Sequence, residues 1–172
     1  MENIIIRQET KKDIVDVYNL IKEVFKNAEH SDGDEHNLVN RLRKSNAFIP
    51  ELSLVAELDK KIVGHILFTK VMVGDSIQLA LAPISVDTAL QKQGIGSLLI
   101  HTGHTIAKNM GFEYVILLGY PRYYSRFGYR PSRDFNIICP FDVPEEYFMA
   151  VNLQGKNSLL NAKVEYPQEF LI

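Results

Sequence analysis

Two glycines, Gly94 and Gly96, stand where strand-like sequence gives way to helix-like sequence. Glycine lets main-chain N–H groups approach a ligand without side-chain obstruction. A helix that begins here also presents unpaired N–H groups and the positive end of its dipole. Neighbouring side chains supply further donors and one positive charge: Gln91, Lys92, Gln93 and Ser97. The segment therefore indicates a phosphate-binding loop, or else a glycine-rich turn that only starts a helix.

Two other nucleotide-binding motifs do not fit this segment. A P-loop requires Gly-Lys-Ser/Thr after four spacer residues, and the chain contains no such run. A dinucleotide-binding fingerprint requires a third small residue at the position that Leu99 occupies. The segment is therefore neither a P-loop nor a dinucleotide-binding fingerprint.

A second group with chemical potential is the tyrosine pair Tyr123 and Tyr124, which precedes Gly128 and Tyr129. A phenol has a pKa near ~10, so at neutral pH it keeps its proton and can donate it. Tyrosines also serve simply as packing aromatics, and we assign that role to Tyr123.

Hydrophobic periodicity predicts the elements that position these groups. Alternating or continuous apolar runs predict strands, and apolar residues at helical spacing predict helices. The predicted strands are residues 4–6, 52–58, 62–68, 77–86, 114–118, 135–138, 149–153 and 163–166. The predicted helices are residues 11–26, 35–44, 94–109 and 120–127. Pro83 lacks the N–H that a central ladder needs, so we expect strand pairing to fail locally there. The order implies a mixed α/β sheet.

The motifs resemble those of one protein family, the GCN5-related N-acetyltransferases. The run from Gln91 to Gly96 matches the family's cofactor-loop pattern, Arg/Gln-x-x-Gly-x-Gly/Ala, in full. The run from Tyr124 to Tyr129 is similar to its Tyr-x-x-x-Gly-Phe/Tyr ending. Further segments resemble the YhbS-like predicted acetyltransferases within that family: residues 48–57, 63–68, 81–86, 118–121 and 139–144.

The resemblance implies one domain over residues 1–172 with a GNAT-type α/β fold. Its central sheet is mixed and mostly antiparallel, with a V-shaped splay between strands 4 and 5 and helices on its faces. The resemblance also implies acetyl-coenzyme A (acetyl-CoA) as co-substrate, with no metal. The residues implied to hold it are Ile84, Ser85 and Val86 on the splayed strand, and Gln91, Lys92, Gln93, Gly94, Ile95, Gly96 and Ser97 in the loop.

The implied activity is transfer of the acetyl group to a primary amine by direct attack. Tyr124 matches the family's general acid, which protonates the departing thiolate. The main-chain amides near Ile84, Ser85 and Val86 are implied to polarise the acetyl carbonyl. The alternative is a non-catalytic module that binds an acyl-CoA at the same site as a sensor or regulatory surface.

The general base is less clear, because residues 78–86 carry no acid where many family members place a glutamate. His65 is the leading candidate, since a strand histidine beside the splay can titrate near neutrality. A histidine on an apolar strand is also commonly a satisfied core residue. Glu57 is the second candidate, although it fits a solvent-facing position equally well. The resemblance places the polar segment 30–36 beside the acceptor pocket.

The composition of the chain limits the kinds of partner that it can bind. Lys and Arg total 19 against 21 Asp and Glu, and this balance argues against nucleic-acid binding. No apolar run approaches the ~20 residues of a membrane span. The start of the chain lacks the pattern of a signal peptide, and we expect a cytoplasmic protein. The expected acceptor is a small-molecule or peptide amine whose identity the sequence does not give, and a homodimer is a reasonable prior.

Overall fold

The computed structural model describes residues 3–156 and 158–171. The ends of the predicted 1–172 domain, Met1, Glu2 and Ile172, lie outside the described residues, as does Asn157. In the described part, the elements in chain order are β1 Ile4–Gln8, α1 Ile14–Phe25, α2 Glu35–Leu42, β2 Phe48–Leu58, β3 Lys61–Val73, β4 Ser76–Val86, α3 Ile95–Asn109, β5 Tyr114–Leu118, α4 Pro121–Tyr124, β6 Arg130–Pro131, β7 Ile137–Ile138, β8 Phe148–Asn152 and β9 Ala162–Glu165.

One mixed sheet organises these elements, with the strand order β1-β2-β3-β4-β5-β8-β6. The neighbours β1 to β4 pair antiparallel, β4 pairs parallel with β5, and β5 pairs antiparallel with β8. β9 pairs with the far end of β3 and with β7. The predicted mixed, mostly antiparallel sheet flanked by helices is confirmed.

Alternation along the strands sends successive side chains to opposite faces of the sheet. One face packs under α3, where Leu54, Ala56 and Ile66 join Leu99 in a buried cluster. The other face packs under α1 and α2, where Val55 and Leu67 join buried residues of both helices. The sheet therefore divides the core into an α3 face and an α1/α2 face.

Helix α1 begins three residues later than its apolar spacing predicts. Before the helix, the Thr10 N–H donates to the Asp13 carboxylate over 2.7 Å. Arg7 also donates to that carboxylate, at 2.8 and 2.9 Å, and holds the pKa of Asp13 well below its usual range. These contacts keep residues 11–13 in a turn before the helix.

Close packing between α3 and β3 depends on Gly103. A Cβ atom at this position would lie 2.2 Å from Cε2 of Phe68, a fully buried ring. We expect Gly103→Ala to lower the free energy of unfolding by about 1–3 kcal/mol, the usual cost of overpacking a core. Denaturant unfolding measures this loss. The control Thr105→Ala, at an exposed position of the same helix, should change stability by about 0.5 kcal/mol or less. An unchanged unfolding midpoint for Gly103→Ala would contradict this packing.

Candidate active site

A gap opens between β4 and β5. The two strands pair only at Leu79 and Ala80 of β4, within the described chain. Beyond Ala80, β4 continues to Val86 and pairs with β3 alone among the described strands. The register against β3 also shifts between Leu81 and Ile84, the interval that contains Pro83. The predicted local failure of pairing at Pro83 and the predicted splay between strands 4 and 5 are both present.

The gap exposes main-chain donors at two residues of β4. Hydrogen-bonded and non-hydrogen-bonded pairs alternate along an antiparallel ladder. The Asp87 N–H donates to the Val63 carbonyl over 2.9 Å, so Ser85 forms the next hydrogen-bonded pair, with His65. The N–H groups of Ile84 and Val86 therefore point away from β3 and into the gap. Ser85 directs its main chain towards β3, which leaves two free amides rather than three.

The loop after β4 ends at the N-terminus of α3. Lys92 and Gly94 both have positive φ angles, +62° and +90°. Gly94 is the N-cap of α3, and its carbonyl accepts the Leu98 N–H over 3.1 Å as the first bond of the helix. The three preceding N–H groups, at residues 95–97, thus have no partner within the helix. They form an anion-binding end of a 15-residue helix.

The side chains of Gln91 and Gln93 form hydrogen bonds with the backbone of the same loop. Gln91 Nε2 donates to the Val86 carbonyl over 3.2 Å, and Gln93 Nε2 donates to the Ala89 carbonyl over 3.4 Å. Asp87 accepts the Ala89 N–H in the same loop. Side-chain bonds therefore hold the backbone in the conformation that presents the α3 amides.

A cavity of about 1040 Å³ joins these features, which is the upper end of the ~300–1,000 Å³ typical of ligand sites. Eight residues expected from the sequence line it: Ile84, Val86, Gln91, Lys92, Gly94, Ile95, Gly96 and Ser97. Two expected residues, Ser85 and Gln93, do not. The lining carries three positive side chains, Lys92, Arg122 and Arg126, and no acidic one.

Sequence reasoning missed several residues of this cavity. Val24 and Phe25, at the end of α1, close one side of it, and Tyr120 closes another. The apolar spacing of α1 assigned Val24 and Phe25 to the core, so it gave no sign of a ligand. Arg122 and Arg126 flank the tyrosine pair in sequence, and this positive charge near a phosphate loop was a usable signal.

Tyr123 lies at the cavity wall beside the helix N-terminus. Its hydroxyl sits 2.8 Å from where a Cβ of residue 96 would be, so any other residue there would displace the Tyr123 hydroxyl. Arg126 stacks over its ring with 4.5 Å between the guanidinium carbon and the ring centroid. The sequence assigned Tyr123 to packing, and the structure places its hydroxyl at the cavity wall beside the N-terminus of α3.

Tyr124 lies behind Tyr123, with the two ring centroids 4.9 Å apart and edge to face. Its Cε2 sits 2.4 Å from where a Cβ of Gly119 would be, so the absence of a side chain at Gly119 makes room for the ring. Gly119 directly follows β5, so the ring packs against the end of that strand, and Tyr124 does not itself line the cavity. Burial raises the pKa of Tyr124 above its ordinary value, and Tyr123 raises it further. The hydroxyl keeps its proton at neutral pH.

His65 is fully buried on the α1/α2 face of β3, and it does not line the cavity. Its Nε2 lies 3.1 Å from Ser53 Oγ and 4.0 Å from a carboxylate oxygen of Glu9. Burial lowers the pKa of His65 to about 4, although Glu9 opposes that shift. The imidazole is neutral at neutral pH. It has no direct route to a ligand in the cavity.

The other candidates for base and acceptor contacts lie further out. Glu57 forms an ion pair with Arg7 at 2.8 Å and does not line the cavity. In the segment 30–36, the His30 ring lies 6.3 Å from the ring of Tyr120, which places this loop at the cavity rim. Its acidic side chains are mostly engaged, since Asp34 pairs with Arg41 and Glu35 accepts from Ser31.

His101 and His104 lie three residues apart on α3, a spacing that two metal ligands could share. His104 Nε2 instead lies 2.8 Å from the Tyr129 hydroxyl, and burial lowers the pKa of His104 to about 4. Among residues 3–156 and 158–171, no group of three potential metal ligands exists. Over the same residues, no helix has the length and apolarity that crossing a membrane requires.

Known proteins share this architecture. The family described as acetyltransferase (GNAT) matches residues 14–129. The uncharacterized N-acetyltransferase YjhQ of Escherichia coli (strain K12) is 36% identical over 118 residues, which is 66% of this chain and 65% of YjhQ. The chain thus spans slightly less than two thirds of that relative.

Two crystal structures superpose over nearly the whole chain. The GNAT family N-acetyltransferase YhbS from Escherichia coli, in complex with CoA, has a TM-score of 0.88 at 27% identity and covers 99% of this chain and 93% of its own. A GNAT family acetyltransferase from Brucella melitensis, in complex with acetyl-CoA, has a TM-score of 0.83 at 29% identity, with 99% of each chain covered. The splayed strands β4 and β5, joined through the glycine-capped helix α3, together with the family match over residues 14–129, show that the chain belongs to the acetyltransferase (GNAT) family.

Proposed function

We propose that this protein binds acetyl-CoA in the 1040 Å³ cavity and transfers the acetyl group to a primary amine. One observation carries the proposal. The free amides of Ile84 and Val86 and the unpaired amides at the start of α3 meet in one cavity. The first pair suits an amide-rich arm, and the second suits a diphosphate.

The charge of the cavity supports a polyanionic co-substrate. Lys92, Arg122 and Arg126 line it, while the protein as a whole carries a formal net charge of −2. The positive charge is therefore concentrated at the cavity, while the protein as a whole is slightly negative. Phosphates at the α3 N-terminus would gain both hydrogen bonds and the favourable helix dipole. Complexes of two GNAT relatives with CoA and acetyl-CoA agree with this assignment.

In the proposed reaction the amine nitrogen attacks the thioester carbonyl carbon and forms the C–N bond. The free main-chain donors of β4 hydrogen-bond the carbonyl oxygen as it gains negative charge. The C–S bond then breaks, and the Tyr124 hydroxyl gives its proton to the departing thiolate. Tyr124 recovers a proton from the solution, and the nitrogen loses one to a base.

The buried position of His65 excludes direct contact with the amine, so in this scheme His65 does not itself take the proton from the nitrogen. A neutral imidazole with a pKa near 4 would also be a weak base for an amine in water. A role for His65 requires an intermediary group between it and the gap.

Thiol release with a panel of amines tests the proposed activity. Acetyl-CoA is incubated with the protein and, in turn, a polyamine, an amino acid, a lysine peptide and a peptide with a free N-terminus. Free CoA thiol is measured together with the mass of each acceptor. We expect at least one amine to gain one acetyl group, with one thiol released per transfer.

Two results would contradict parts of the proposal. Tight binding of acetyl-CoA without acetylation of any amine, including those of a cell extract, would favour the non-catalytic module. Acetylation confined to hydroxyl acceptors would replace the amine as the substrate class while keeping the co-substrate.

A further inference from the structure

Two buried polar atoms without partners face one another across β3 and β4. His65 is 0% exposed and Ser85 is 1% exposed. His65 Nδ1 and Ser85 Oγ both lack a hydrogen-bond partner. The two residues are directly opposite in register, so their side chains lie on the same face, with Cβ atoms typically ~4.5–5.5 Å apart. Since unpaired buried polar groups are costly, one bridging water between them would satisfy both.

The hydrogen bonds on the far side of the ring fix its tautomer. The Ser53 hydroxyl donates its single proton to Glu9 Oε2 over 2.6 Å. Ser53 Oγ can therefore only accept from His65 Nε2, which lies 3.1 Å away. Nε2 carries the ring proton, and Nδ1 is a bare acceptor directed towards the Ser85 side.

Glu9 is the last residue in this series of hydrogen bonds, which connects His65, Ser53 and Glu9. Arg43 forms a buried ion pair with Glu9. Glu9 and Arg43 are the charged groups whose fields act on the imidazole. The α1 residues beneath this face, Val17 and Ile21, are apolar. The chain thus runs from a neutral hydroxyl through a neutral ring to a charged acceptor.

Ser85 occupies the part of this chain that is nearest to the proposed chemistry. It lies between Ile84 and Val86, which both line the cavity, and beyond the last β4–β5 pair. The end of α1, which covers the Ser85 face, also contributes Val24 and Phe25 to the cavity wall. Ser85 itself does not line the cavity, but the residues before and after it do.

We propose that Ser85, His65, Ser53 and Glu9 form a proton-transfer chain that takes the proton the acceptor amine loses. As the C–N bond forms, the N–H proton passes through a water in the gap to Ser85 Oγ, while the Ser85 proton passes through the bridging water to His65 Nδ1. The Nε2 proton moves to Ser53 Oγ, and the Ser53 proton moves to Glu9. Each group gives one proton for each that it receives, and Glu9 holds the extra one. This inference rests on the proposed function, since it assigns the missing base of that reaction.

The variant Ser85→Ala separates this role from a structural one. Loss of an unpartnered buried hydroxyl is nearly neutral for stability, so the melting temperature should stay the same or rise. We expect kcat with an alkylamine acceptor to fall about 100-fold, the lower end of the range for lost proton transfer, with an unchanged Kd for acetyl-CoA. With an aromatic amine of low pKa the fall should be smaller, because its nitrogen loses the proton readily to water.

Thr69→Val is the matched control. Thr69 is also fully buried on β3, on the same face, and its Oγ1 also lacks a partner, but it lies outside the chain. We expect Thr69→Val to leave kcat unchanged. Equal kcat losses in both variants would overturn the proton-transfer chain, and so would a Ser85→Ala enzyme with wild-type kcat for alkylamines.

Nitrogen NMR of histidine-labelled protein tests the chain without any turnover. The spectrum should show a His65 with protonated Nε2 and bare Nδ1, assigned through His65→Gln. The Nδ1 signal should shift in Ser85→Ala and stay in place in Thr69→Val. A proton on Nδ1, or an Nδ1 signal indifferent to Ser85→Ala, would overturn the chain even if the protein acetylates amines. Because this readout needs no substrate, it is independent of the proposed activity.

Discussion

Replacing Tyr124 by phenylalanine should lower kcat about 10²- to 10⁴-fold, the range for loss of a general acid. The thiolate would then leave without a proton from the enzyme. The Kd for acetyl-CoA should change little, because the Tyr124 ring and its packing against Gly119 remain. Steady-state kinetics with the best amine of the panel, combined with calorimetric titration of acetyl-CoA, measure both quantities.

Tyr123→Phe is the control for this prediction, because Tyr123 has its hydroxyl at the cavity wall beside Gly96. We expect it to alter the Kd for acetyl-CoA more than kcat. The opposite pattern, with a large loss of kcat in Tyr123→Phe and none in Tyr124→Phe, would transfer the acid role to Tyr123. Burial raises the pKa of both tyrosines, so the acid form persists through neutral pH and is lost only under alkaline conditions.

Replacing Gly96 by glutamate should weaken binding of acetyl-CoA by about 100-fold or more, since removal of charge-assisted hydrogen bonds and addition of a like charge each cost several-fold. A Cβ at this position already collides with the Tyr123 hydroxyl, so the new side chain enters the cavity. Its carboxylate would occupy the N-terminus of α3 and repel the diphosphate. Calorimetric titration with acetyl-CoA measures the loss.

Leu98→Glu is the matched control, with the same charge two residues along α3. Leu98 is 44% exposed and does not line the cavity. We expect its Kd to stay within about threefold of wild type, since the added charge is screened by solvent. Circular dichroism and melting curves must show that both variants fold. Equal binding by the two variants would argue against a diphosphate at the start of α3.

The sequence predicted the framework of the site because the relevant signals are local. A proline in an apolar strand predicted the break in pairing, and two glycines before a periodic run predicted the start of α3. Both features lie within a few residues of their cause. The continuous apolar run at residues 114–118 predicted β5 with its correct bounds. These three elements are sufficient to define the gap and its anion-binding end.

Other features depend on contacts between distant residues, which periodicity does not encode. Ser53 and Glu9 bond each other across 44 residues of sequence, and together they enclose His65. Because His65 is buried away from the cavity, it can accept a proton from a substrate only through an intervening group. The two-residue strand β6 escaped prediction because it is too short for a pattern, and β8 supplies its pairing partner. The need for glycine at position 119 is likewise visible only in the structure, where the Tyr124 ring packs against it.

Calorimetric titration of the wild-type protein with acetyl-CoA at moderate ionic strength tests the central claim most directly. The account predicts saturable binding of one acetyl-CoA per chain, with an affinity that falls as salt increases because phosphates contact positive groups. Absence of detectable binding in a correctly folded sample would contradict the assignment of the cavity, and with it the acid role of Tyr124.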